Sequence, residues 1–152
     1  DRPWHVRLAM RLWRISNYAD LSGKGGLQFS ARWHTRGRPI VYTAEHPALA
    51  LLEVMVQPNI DTLPDTYQLL EIIAPEDIKV EVAEPKEGWE ADIAYSRQLG
   101  DAWLAASRSA LLMVPSAVVP RALNALINPR HPESSRIVVF RAETYARDKR
   151  LK

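Results

Sequence analysis

Residues 48–56 read Ala-Leu-Ala-Leu-Leu-Glu-Val-Met-Val, with Glu53 as the single polar side chain. On a helix such a run is apolar on every face, which predicts an element packed inside the molecule on all sides. A carboxylate placed there loses its water and must gain a partner or take up a proton. Glu53 is therefore the first candidate for a functional group. The plainer reading of the same residue is a buried ion pair, with Arg32 or Arg14 as the partner.

The chain has 152 residues, enough for one domain with a real core. An apolar fraction of 47% and a charged fraction of 25% are ordinary globular composition. A net charge of +2 is too small to indicate nucleic-acid binding. There is no cysteine, which excludes disulfides, zinc thiolate sites and cysteine catalysis and is compatible with a reducing cytosol. No apolar run approaches the length of a membrane span. Residues 1–9 precede Met10 and read as an upstream leader or vector-derived residues, leaving 10–152 as the folded domain.

Strands are predicted at Leu12–Ile15, Pro39–Thr43, Tyr67–Ile73, Ile78–Val82 and Arg136–Phe140. The third and fourth are read as a hairpin closed by Pro75-Glu76-Asp77. One helix is expected from about Glu45–Pro47 to Gln57, stopped by Pro58-Asn59, and a second over Ala91–Ser107 with Gly100 as its weak point. Asn17–Gly26 is read as a loop, Leu27–Trp33 as extended, and Ala122–Ile127 as a short irregular or helical piece. Strands interleaved with two main helices make one α+β domain.

Besides Glu53, four positions stand out: Arg32 beside Trp33, Tyr42 at the end of a strand, Ser116 after a proline, and Asn128 before one. Each has a plain reading: a surface ion pair, half-buried packing, a turn or cap, and an Asx turn. Ser22-Gly23-Lys24-Gly25-Gly26 lacks phosphate-loop spacing and reads as a flexible loop. The four histidines show no metal-ligand spacing, and no metal is expected. His46 suits a role in the first turn of the Glu53 helix.

Arg32-Trp33-His34-Thr35-Arg36-Gly37-Arg38-Pro39-Ile40-Val41-Tyr42-Thr43-Ala44-Glu45, followed by Ala48 through Glu53, resembles the RES domain. Leu12-Trp13-Arg14-Ile15, Gly100 through Leu104, Val114-Pro115-Ser116-Ala117, Asn124 through Pro129, and Asp148 through Leu151 resemble further blocks of that family, so the likeness spans roughly Met10 to Leu151. The resemblance implies an ADP-ribosyltransferase-like fold with a split β-sheet core. It also implies a cytoplasmic toxin that consumes NAD as a substrate and is neutralised by an Xre-like helix-turn-helix antitoxin. A homodimer is suggested, and neither membrane nor direct nucleic-acid binding is expected. It carries over Arg32, Tyr42 and Glu53 as the catalytic residues, with Arg32, Tyr42, Ser116 and Asn128 as NAD-binding residues. The activity implied is NAD hydrolysis or phosphorolysis, or else mono-ADP-ribosylation of a protein. A non-catalytic RNA- or protein-binding module is the rival of a different class.

Overall fold

The computed structural model describes residues 9–58 and 63–151. Its strands are β1 (Met10–Ile15), β2 (Val41–Ala44), β3 (Thr66–Ala74), β4 (Val80–Val82), β5 (Leu111–Pro115), β6 (Leu123–Ile127) and β7 (Val138–Ala146). The helices are α1 (Gly25–Gln28), α2 (Pro47–Met55) and α3 (Ile93–Ala106), with 3-10 turns at Trp89–Ala91 and Pro132–Arg136. One sheet runs β4-β5-β6-β2-β1-β3-β7. Its neighbours are antiparallel except for β4 and β5. The expected single α+β domain with two main helices is what the structure has.

The sheet is split along its middle. β1 and β2 share the single register pair Trp13↔Ala44, whereas β2 matches β6 from Val41↔Ile127 to Ala44↔Asn124 and β1 matches β3 along its whole length. Strand periodicity sorts the side chains into two layers. Leu12, Val41, Leu70, Ile72, Leu111, Met113, Ala125 and Ile127 form one core. On the opposite face Leu112, Val114 and Leu126 pack with Trp33, Trp89, Trp103 and Leu104. Trp13, Ala44, Leu49 and Ala50 make a third cluster beneath α2.

Four expectations are corrected. First, the Glu53 helix is covered on one face only: Leu49 and Ala50 are buried, but Leu52 and Val56 are 39% and 56% exposed. An all-apolar run has no periodicity to say which face is covered. The helix ends at Met55, and Asn59 lies outside the described residues. Second, β3 and β4 do not form a hairpin, because both edges of β3 are taken by β1 and β7 while β4 pairs with β5. Third, residues 123–127 are a strand hydrogen-bonded on both sides. Leu, Asn and Ala have little strand preference, and central placement in a sheet overrides it. Fourth, the one-turn helix α1 takes Gly25 and Gly26 from the expected loop and Leu27 and Gln28 from the run expected to be extended, and Gly26 is packed rather than free. A Cβ on Gly26 would lie 2.3 Å from the Arg38 carbonyl. The expected leader falls almost wholly outside the described residues.

Candidate functional site

A cleft of about 480 Å³ opens at the split between β1 and β2, a size typical of small-molecule sites. Its walls include Trp13, Arg14 and Ile15 from β1, Tyr42 through Ala44 from β2, Glu53 from α2, Arg32, and Arg97 from α3.

Glu53 reaches the cleft because α2 is aimed at the sheet. The His46 side chain caps the helix by accepting from the Ala48 amide at 3.0 Å, and Pro47 follows in the first turn, where its missing N–H costs nothing. Leu49 and Glu53 are one turn apart, so the buried Leu49 face carries the carboxylate with it. Two groups, one from β6 and one just past the end of β5, then meet the same oxygen. Ser116 Oγ donates to Glu53 Oε2 at 2.8 Å, and Asn124 Nδ2 donates to it at 2.6 Å. The direction of the serine bond is settled by its other contacts. Oγ accepts the Val118 and Val119 amides at 3.0 and 3.1 Å, so its one proton goes to the carboxylate. Oε1 receives no hydrogen bond from the described residues. Nor does Glu53 form an ion pair with any of them; Arg14 instead donates to the Tyr42 carbonyl at 2.8 Å.

Tyr42 lies on β2 with its hydroxyl committed to the protein. It accepts from the Trp33 amide at 3.1 Å and lies 2.7 Å from His34 Nδ1. The other histidine nitrogen, Nε2, is 3.3 Å from the Gly26 carbonyl and must donate to it. Nδ1 is therefore the acceptor of the tyrosine proton. Burial pushes the Tyr42 phenol far above its ordinary value and pulls His34 below its own. Both are therefore neutral near pH 7, and only the ring of Tyr42 is left for a ligand.

Arg32 is placed by α3. Ser96 Oγ donates to the Arg32 carbonyl at 2.6 Å, Arg97 Nε donates to the Ala31 carbonyl at 2.8 Å, and Asp101 accepts the Thr35 amide at 2.9 Å. Between them, Gly100 lets the helix touch the chain, since a Cβ there would fall 1.6 Å from the Trp33 carbonyl oxygen. The residue expected to weaken the helix is the one that permits this approach. The Arg32 guanidinium lies over the Trp89 ring at 5.9 Å and gives one N–H to the Glu90 carbonyl at 2.8 Å.

The structure thus brings Arg32, Tyr42 and Glu53 to one cleft and puts Ser116 directly behind the carboxylate. Asn128 is placed elsewhere. It lies four residues beyond Asn124 along the β6 direction, roughly 13 Å at strand spacing. There its Oδ1 accepts the Arg130 amide at 3.1 Å and its Nδ2 approaches the Leu104 carbonyl at 3.4 Å, an Asx turn closing the strand. Sequence reasoning named Arg14 only as an ion-pair partner for Glu53, a pair the structure does not form, and missed Asn124 and Arg97. Asn124 carried a readable signal, being the lone polar residue in Leu-Asn-Ala-Leu-Ile; Arg97 carried none. Among the described residues no cluster of His, Asp or Glu is arranged to hold a metal, and no helix is long and apolar enough to cross a membrane.

A split mixed sheet with an arginine-lined cleft around one oriented carboxylate defines an α+β protein with a predominantly cationic cleft. The family model for the RES domain matches residues 11–148, and the chain belongs to that family. It is 44% identical over 145 residues to "Toxin Res" of Pseudomonas putida (strain KT2440), covering 93% of this chain and 99% of the relative. It is 39% identical over 152 residues to the "Prs ADP-ribosylating toxin" of Sphingobium sp. (strain YBL2), covering 91% and 94% of the two chains. In fold it is similar to a chain in the crystal structure of the M. tuberculosis MbcT–MbcA toxin–antitoxin complex. The TM-score there is 0.73 at 16% identity, with 93% of this chain and 86% of that one covered.

Proposed function

We propose that this protein is the toxin of a toxin–antitoxin pair and that it breaks the nicotinamide–ribose bond of NAD. The observation that carries the reading is the charge of the cleft. Arg14, Arg32 and Arg97 line it against the single carboxylate of Glu53, and none of the three arginines has a carboxylate within ion-pair distance among the described residues. Three unpaired guanidiniums beside one carboxylate suit a ligand with a diphosphate at one end and a developing cation at the other.

The chemistry follows from that polarity. As the C1′–N bond stretches, its electron pair leaves with neutral nicotinamide and positive charge builds on the ribose, as in glycoside hydrolysis. Glu53, fixed on Oε2, offers Oε1 to that charge or to a ribose hydroxyl, and fixed charges act more strongly where water is excluded. The Tyr42 ring supplies a flat apolar surface for nicotinamide. Nicotinamide leaves uncharged, so no strong general acid is needed. Water, phosphate or a protein nucleophile then bonds to C1′ and gives up its proton. Ser116 serves by holding the carboxylate rather than by touching NAD. The relative named as ADP-ribosylating favours a protein acceptor as the second reading. The partner is an antitoxin, as in the complex that holds the structural neighbour, and is of the Xre-like helix-turn-helix kind that the family resemblance implies.

The test is purified protein incubated with NAD, without antitoxin and with phosphate and cell lysate supplied in separate arms. Free nicotinamide and every ADP-ribose product are followed by chromatography. Glu53-dependent nicotinamide release supports cleavage, and the accompanying product names the acceptor. Folded protein that releases none in any arm would overturn the reading in favour of a non-catalytic binding module.

A further inference from the structure

We infer that Asn124 is a positioning residue for Glu53, orienting the carboxylate so that one oxygen alone faces the ligand; the inference rests on the NAD-cleavage reading above. Three observations carry it. Asn124 Nδ2 donates to Glu53 Oε2 at 2.6 Å, the same oxygen that Ser116 holds at 2.8 Å. Its backbone is locked on both sides, opposite Ala44 of β2 and opposite Val114 of β5, so the donor is fixed to the rigid middle of the sheet. Its Oδ1 is buried and has no hydrogen-bond partner. An asparagine kept only for packing would satisfy both ends of its amide. Here the nitrogen must face the carboxylate, because the flipped amide would set two acceptors against each other, and the oxygen is left unpaired as a result.

With Oε2 saturated by donors from β6 and from the end of β5, the carboxylate cannot swing about its terminal torsion, which is otherwise broad. The remaining groups around Glu53 do not supply this constraint. The charged and titratable residues lining the cleft with it are Arg14 from β1, Arg32 ahead of β2, Tyr42 from β2 and Arg97 from α3. None of them is hydrogen-bonded to it, and Tyr42 stays protonated.

The experiment compares wild type, Asn124→Ala and Asn124→Asp in nicotinamide release across pH, with melting curves for each. Asn124→Ala frees the carboxylate, and kcat is expected to fall at least tenfold while KM for NAD changes less than threefold. Asn124→Asp preserves shape but sets a second carboxylate against Glu53. The pair then shares a proton, and the acid limb of the kcat–pH profile moves upward by about one unit or more. A structural role alone would lower the melting temperature of Asn124→Ala while leaving kcat of the folded protein unchanged. Wild-type kcat in Asn124→Ala, or an unmoved acid limb in a folded and active Asn124→Asp, overturns the inference. If the alanine variant does not fold, the aspartate profile decides. If wild type itself releases no nicotinamide, it is the function that has failed.

Discussion

At the scale of single residues, the site is a carboxylate whose donors come from β6 and the loop just past β5, and not from its own helix. Glu53→Gln keeps size and reach but removes charge and turns one oxygen into a donor. Nicotinamide release should fall by about 10²–10³-fold or more, the range for losing one preorganised electrostatic contact, with the melting temperature little changed. Activity within tenfold of wild type would remove Glu53 from the chemistry. Arg32→Ala should raise KM for NAD by about 10- to 100-fold, matching the roughly 1.5–3 kcal/mol of a charge-assisted hydrogen bond; unchanged binding by titration would take Arg32 out of the pocket. Glu53 was legible in the sequence because a lone carboxylate in an apolar run contradicts its surroundings. Asn124 sits in its own run the same way, but it was hidden by reading residues 122–127 as irregular. Arg97, and the place of Arg14 as a cleft cation rather than an ion-pair partner, could not be read from the sequence. Each meets the cleft only because distant segments cross there, at the Tyr42 and Ala31 carbonyls.

At the scale of elements, α3 acts as a clamp on the segment that carries Arg32. Ser96, Arg97, Gly100 and Asp101 lie on one helical face and grip residues 31–35 in turn. Gly100→Ala tests this directly. Helix propensity alone favours alanine by about 1 kcal/mol. The clash with the Trp33 carbonyl should outweigh that gain, as overpacking typically costs about 1–3 kcal/mol. The expected result is a melting temperature lowered by a few degrees together with weaker NAD binding, since Arg32 shifts with the segment. A variant more stable than wild type would mean the approach is looser than 1.6 Å implies. Strand-forming residues and proline stops made most elements readable. The pairing of β4 with β5 was not, because which edge of β3 remains free is decided by β1 and β7, far away in the chain.

At the scale of the whole molecule, the fold should respond to acid through His34. This side chain is 2% exposed, and burial holds it below the ordinary value of 6.5. The unfolded chain therefore binds the proton first. The stability His34 contributes is fully present above about pH 6.5 and is lost as pH falls toward the depressed folded value. Protonation would also take away the acceptor for the Tyr42 hydroxyl. The melting temperature should drop on acidification below 6.5, and His34→Gln should flatten that part of the curve; equal slopes in both proteins would assign the acid sensitivity to other groups. The α+β class and the two main helices could be read from residue patterns. The sheet order could not, because its central seam rests on one pairing, Trp13 with Ala44. The clamp of α3 has a genetic corollary. If the protein poisons its host when unneutralised, cells that survive its expression will carry inactivating mutations. Those mutations should be spread well beyond Glu53, Arg32 and Tyr42, with a second cluster at Ser96, Gly100 and Asp101, in alleles that still accumulate protein but no longer kill.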